Sequence, residues 1–122
     1  MKGSPVRGRA AHAAGLRAEA MAAWMLRLKG YSILARRMKT RAGEIDLVAR
    51  RGRVLAFVEV KARGDLDAAA EALLARQRAR LVRAAELFVA ARPALAGHDM
   101  RFDLVQVAPG RWPRHLADAW RP

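Results

Sequence analysis

An α/β fold with one mixed sheet flanked by helices is what the sequence predicts, and three observations carry the prediction. Residues 43–61 hold two short apolar runs with strand-like alternation, joined by Arg50-Arg51-Gly52-Arg53. Helix-forming stretches bracket them, Leu16–Lys29 before and a run reaching Arg92 after. A further apolar run, Met100–Val107, follows the second helix. A strand returning across a helix joins the same sheet parallel to a neighbour, with a right-handed crossover. The 122 residues suit one domain with a single core, and no repeat or break in composition divides them.

Residues 1–14, with Pro5, Gly3, Gly8 and scattered basic side chains, read as a flexible basic arm ahead of a domain over 15–122. Leu16–Lys29 is rich in good helix formers, carries a lysine in its last turn and is stopped by Gly30. It is apolar nearly all round, which predicts a sandwiched helix. Glu19 shares a face with Leu16, Ala23 and Leu26; spacing leaves open whether it points inward or is a solvated first-turn carboxylate favoured by the helix dipole.

Tyr31–Met38 reads as a first strand ending in the basic loop Lys39-Thr40-Arg41-Ala42. Gly43–Val48 and Val54–Lys61 follow through a tight turn, so the three strands form an antiparallel meander. In the third, Val54, Ala56, Val58 and Val60 point one way and Leu55, Phe57, Glu59 and Lys61 the other. Both faces are apolar until the strand's end, so it should be covered on both sides. Asp67 is a plausible N-cap for the second helix, with Glu71 beyond it, and Pro93 ends it after Arg92. Its stripe is Leu73/Leu74, Leu81, Ala84/Ala85 and Phe88, with Gln77 in the middle and Arg76, Arg80 and Arg83 as a flanking ridge. Gln77 there is either a buried amide bonded to backbone or a site residue, and the ridge either a solvated face or a phosphate-holding one. Pro109-Gly110 turns the chain after the fourth strand, and Trp112, Leu116 and Trp120 on the tail can cap the core.

Composition excludes several functions. There is no cysteine, hence no disulfide frame and no thiolate zinc site, and His12, His98 and His115 are scattered. Ser4 and Ser32 sit on no nucleophile turn, and no Gly-rich phosphate loop occurs. No apolar run reaches the roughly 18 residues of a membrane span, and no secretory h-region follows the N-terminus, so a cytoplasmic protein is expected. Charge is more informative. Lys and Arg number 24 against 11 Asp and Glu, a net charge of +13, and only Lys2, Lys29, Lys39 and Lys61 are lysines. Such a surface favours phosphate backbones through counterion release; the plainer alternative is that the arginines merely solvate a small surface.

Asp46, Glu59 and Lys61 lie at the ends of neighbouring apolar strands. Burying an ionised group costs several kcal/mol, of order ~3–5, unless it is paired or binds a metal. Two carboxylates and a lysine so placed ask for a divalent cation. The alternative is a Glu59–Lys61 ion pair supporting the fold, which i,i+2 spacing on a strand permits.

The segments GEIDLVAR, VLAFVEVKAR and RFDLV together resemble the YraN (UPF0102) family of the PD-(D/E)xK nuclease superfamily, over roughly residues 15–120. The resemblance implies a restriction-endonuclease-like αβββαβ core. It also implies a metal-dependent endonuclease hydrolysing phosphodiester bonds in DNA, branched or structured DNA included. By position it makes Asp46 and Glu59 ligands of Mg²⁺ or Mn²⁺, with Glu19 completing the shell, and sets Lys61 beside the attacked phosphate. Gln77 falls where relatives commonly carry lysine or glutamine. The first acidic motif reads Glu44-Ile45-Asp46 without the Pro-Asp of the superfamily name, and Glu44 is expected in a supporting role. Asp103 is expected to partner a nearby arginine. Arg36, Arg37, Lys39 and Arg41, with Arg76, Arg80 and Arg83, would hold flanking phosphates without reading sequence. Analogy with the resolvases of the superfamily implies a homodimer. The alternative class is a catalytically silent nucleic-acid-binding module of the same fold acting as a scaffold. A basic RNA- or ribosome-associated protein fits the charge but leaves Asp46 and Glu59 unexplained.

Overall fold

A computed structural model describes residues 5–62 and 75–122, with side chains from Gly15 onward. In chain order the elements are α1 (Pro5–Leu28), β1 (Ser32–Thr40), β2 (Gly43–Arg51), β3 (Val54–Lys61), α2 (Ala75–Ala90), a 3-10 turn at Pro93–Leu95, β4 (Asp99–Gln106) and β5 (Arg114–Trp120). The strands form one sheet in the order β1-β2-β3-β4-β5. β1, β2 and β3 pair antiparallel, β3 and β4 parallel, and β4 and β5 antiparallel. This is the mixed-sheet α/β architecture expected, consistent with a restriction-endonuclease-like core.

The period-two pattern of β3 is realised on two helices. Leu55 and Phe57 face α2, where Leu81, Ala84, Ala85 and Phe88 bury with Ile45, Val48, Phe102 and Trp120. Phe57 meets Phe88 edge-on at 6.0 Å, and Phe102 stacks on Trp120 at 4.4 Å. Ala56 and Val58 face α1, where Ala22, Ala23, Met25 and Leu26 cover Leu47, Ala49 and Val105. α1 stops where the sequence said it would. Gly30 takes φ +93, its N–H donates to the Arg27 carbonyl, and the Tyr31 N–H donates to that of Leu26, each at 3.0 Å. That pair of bonds is a Schellman stop, which glycine adopts without a Cβ penalty.

Four expectations need correction. α1 begins at Pro5 rather than Leu16, so most of the expected arm is helical. Proline is favoured in a first helical turn, whose N–H groups lack partners anyway, and Ala10, Ala11, Ala13 and Ala14 outweigh the single Gly8. α1 is also covered on one side only: Met21, Trp24 and Leu28 are 40%, 48% and 61% exposed. The tail is a fifth strand, and of its expected capping residues only Trp120 is buried. Gln77 is exposed, and the buried stripe of α2 starts at Leu81. The expected cap at Asp67, with Glu71 and Leu73/Leu74, lies outside the described residues. Among the described residues no helix is long and apolar enough to cross a membrane.

Candidate functional site

The sheet forks between β2 and β3. Their pairing runs from Arg51↔Val54 to Leu47↔Val58 and stops there. β3 instead stays paired with β4 to Lys61↔Gln106, and the Val107 N–H donates to the Lys61 carbonyl at 2.8 Å. Asp46 is the first residue of β2 past the last pair. Alternation breaks at it, since Ile45 joins the core under α2 while Leu47 joins the core under α1. The Asp46 side chain replaces the missing ladder bond: its Oδ2 accepts the Val60 N–H at 2.8 Å. On β1, Arg37 lies between the residues paired with Leu47 and Ile45 and takes φ +51.

Three predicted side chains meet in the fork. Lys61 Nζ stands 3.4 Å from Glu59 Oε1, and the Glu59 carboxyl hydrogen-bonds that of Asp46. Burial pushes Glu59 up to about 7, the neighbouring Asp46 charge adds to the rise, and Lys61 opposes it. Asp46 is also raised, by burial first, against the lowering effect of the Val60 amide and Lys61. Two carboxyls this close cannot both ionise at little cost.

Glu19 lies on the α1 side, where it feels the Asp46 charge, whereas Glu59 and Lys61 line the cleft on the α2 side. Glu19 is 8% exposed, and its Oε1 finds no hydrogen-bond donor among the described residues. Arg37 Nη1 comes only to 3.8 Å of it. Burial and then the Asp46 charge raise Glu19 above the usual carboxylate range. The inward orientation that spacing left open is thus realised.

A cleft of about 220 Å³ opens on the α2 side, lined by Gly43, Glu44, Glu59, Lys61, Gln77 and Arg80 among others. Gln77 and Arg80 therefore reach the acidic end of β3. Glu44 lines the cleft itself, and its charge raises both Asp46 and Glu19. The other predicted phosphate contacts are spread out. Arg41 and Arg83 line a second hollow, Arg36, Lys39 and Arg76 are exposed elsewhere, and Arg37 is engaged by Glu19.

Among the described residues no three His, Cys, Asp or Glu side chains stand close enough together to hold a metal ion as they lie. The donor set nonetheless fits a hard divalent cation. Asp46, Glu59 and Glu19 are oxygen donors with raised affinity for protons, and the buried Glu19 Oε1 has no hydrogen-bond donor among the described residues.

Asp103 behaves as expected, as an arginine's partner. Arg101 donates to both its oxygens, from Nε at 2.8 Å and Nη2 at 2.7 Å. His115 Nε2–H and the Asp118 N–H add bonds at 2.8 and 2.9 Å. Lys29 donates to the other ring nitrogen of His115, and Arg101 also donates to the Tyr31 hydroxyl at 2.6 Å. Sequence reasoning missed His115, Tyr31 and Asp118 here; the one available signal was Arg101 and Asp103 two apart on a strand.

The chain matches the model of the uncharacterised protein family UPF0102 over residues 18–107. It is 64% identical over 121 residues to a UPF0102 protein of Parvibaculum lavamentivorans, covering 99% of this chain and 91% of the relative. A UPF0102 protein of Methylorubrum extorquens is 58% identical over 114 residues, covering 93% of this chain and 89% of its own length. One from Rhodopseudomonas palustris is 54% identical over 111 residues, with 91% and 85% covered.

Proposed function

The chain belongs to the UPF0102 family, and from its fork geometry we propose that it is a cytoplasmic, divalent-cation-dependent endonuclease hydrolysing phosphodiester bonds in DNA, branched or structured DNA included. One observation carries this reading: Asp46 and Glu59 stand half-buried together and share a hydrogen bond, and burial raises both carboxyls against the opposing Val60 amide and Lys61. A fold gains nothing from such a pair unless something cationic binds it. Mg²⁺ or Mn²⁺ held by Asp46 and Glu59, with Glu19 completing the shell, would polarise the phosphodiester and acidify the attacking water.

The chain's own groups divide the remaining work. Lys61, 3.4 Å from Glu59, is held at the mouth of the fork, where its other N–H bonds neutralise charge growing on the attacked phosphate. Gln77 lines the same cleft and orients a phosphate oxygen or water, and Arg80 beside it holds an adjoining phosphate. Arg36, Lys39, Arg41, Arg76 and Arg83 bind the backbone further out, and Arg37 keeps Glu19 in place. Two copies would be needed to cut paired strands of a branched substrate in one assembly.

The test is cleavage of labelled linear, flapped and four-way-junction DNA with Mn²⁺ or Mg²⁺, wild type beside Asp46→Asn. Cation-dependent cutting is expected, reduced at least about a hundredfold in the variant. A second reading, a binding module without turnover, draws on the absence of a ready three-ligand cluster among the described residues. Salt-sensitive binding with no cutting by either protein would decide for it.

A further inference from the structure

The side of α1 turned away from the sheet is not finished as a solvent face. Met21 and Trp24 are 40% and 48% exposed there, and the turn after β4 brings Trp112, 58% exposed, against them. The two indole rings meet edge to face, with centroids 5.2 Å apart at 66°. Beside them runs a groove of about 610 Å³, lined by Arg17, Met21, Ala62, Val107, Arg111 and Trp112 among others. Among the described residues no acidic side chain lines it. The groove adjoins the acidic fork at two points. Ala62 directly follows Lys61, and Ala18, which also lines it, directly precedes Glu19.

Aromatic rings, an apolar floor and guanidinium groups match one kind of ligand well. Unpaired bases stack on indole faces whatever their identity, while guanidinium groups take the phosphates between them. A duplex keeps its base faces inside the stack and can use only the arginines. A neutral apolar helix would leave Arg17 and Arg111 unanswered. A hollow of this volume accommodates about one or two nucleotides, by comparison with sites for small ligands.

We propose that this groove binds an unpaired segment of nucleic acid, stacked on Trp112, whose ring Trp24 braces edge to face, beside the strand held in the fork. Its relation to a scissile phosphate rests on the nuclease reading; the binding itself does not. Single-strand character next to the cut site is thus recognised by stacking, without reading sequence.

The experiment uses the full chain in EDTA, so that no cutting intervenes. Fluorescence anisotropy compares a labelled thymidine oligonucleotide with a blunt duplex of the same length, for wild type, Trp112→Ala, Trp24→Ala and Trp112→Phe. Each alanine variant is expected to bind the single strand about tenfold more weakly and the duplex as before, with Trp112→Phe close to wild type. Wild type should likewise bind an oligonucleotide with abasic spacers about tenfold more weakly than its thymidine counterpart, a comparison independent of any variant's folding. Equal affinity for abasic and intact strands, or equal losses on single strand and duplex, would overturn the proposal. So would a wild-type dimer that Trp24→Ala splits into monomers during sedimentation, since the face would then belong to a second copy. The two readings fail separately. Base-dependent binding without metal-dependent cutting removes the nuclease and keeps the groove; cutting without base-dependent binding does the reverse.

Discussion

Two acidic clusters, one buried and one half-buried, sit in neighbouring strands of one sheet and are treated in opposite ways. Asp103 on β4 is paired in register with Val58 on β3, one residue before Glu59. Burial would push Asp103 up, but bonds from His115, Arg101 and the Asp118 amide outweigh it and hold the carboxyl at about 2. Glu59, a residue further along, has its ammonium partner at 3.4 Å and another carboxyl as its hydrogen-bond neighbour, and burial carries it to about 7. The same fold that satisfies one carboxylate four times over leaves another raised beside a second carboxyl. Satisfaction marks a structural role, and on the function proposed above the raised pair is where a cation would bind.

The sharpest way to break this contrast is to remove each acid in turn. Asp103→Ala leaves the Arg101 guanidinium without its partner and should cost about 3–5 kcal/mol in denaturant unfolding. Asp46→Asn keeps an acceptor for the Val60 N–H and relieves repulsion, so its metal-free stability should equal or exceed wild type. Equal losses in both variants would erase the distinction. Next in size is the response to a cation. Mn²⁺ at a hundredfold its dissociation constant should stabilise wild type by about 2.7 kcal/mol and Asp46→Asn far less, read by thermal melting.

Acidity separates the clusters by sign. Glu59 holds its proton longer in the folded chain than in the unfolded one. Its stabilising contribution is therefore complete below the ordinary value of 4.5 and lost as pH rises through about 7, by roughly 3 kcal/mol. Asp103 is the mirror case. Its contribution is complete above the ordinary 3.8 and lost as pH falls through about 2, by roughly 2 kcal/mol. Metal-free urea titrations at a series of pH values should show both slopes, the first shrinking in Glu59→Gln, where the raised Asp46 and Glu19 remain, and the second vanishing in Asp103→Asn. The smallest effect belongs to Glu19→Gln, which keeps the packing and removes only a raised acid. Metal-free stability should move by less than about 1 kcal/mol, while the Mn²⁺ response shrinks.

Much of the frame was legible because packing period and sequence period coincide. The two faces of β3 declare both helices, and the run after Pro93 declares the parallel return of β4. Asp46, Glu59 and Lys61 were legible as charges where an apolar strand has no use for them. Their mutual contact was not, because it depends on β2 leaving β3 at Asp46, and no local preference announces where a pairing ends. The engagement of Arg37 by Glu19 was hidden for a similar reason, since Arg37 has to adopt φ +51, a conformation uncommon outside glycine. β5 escaped notice because a register shift between Phe102 and Leu104, and Asp118 at φ +54, interrupt its alternation. Exposure of Gln77 was missed because helical spacing gives a direction but not where the covering sheet stops.

The one-sided pairing at the end of β3 also bears on the order of assembly. β1, β2 and β3 can zip through adjacent turns, but beyond Val58 the strand's ladder partner is β4, which lies across the whole crossover, as in Glu59↔Leu104 and Lys61↔Gln106. Such distant contacts close late on a folding route because loop entropy has to be overcome first. The acidic end of β3 is therefore expected to become ordered only when the last long-range seam closes. Pulse-labelled hydrogen exchange should see the amides that β3 shares with β2 protected before that of Val107, which caps Lys61.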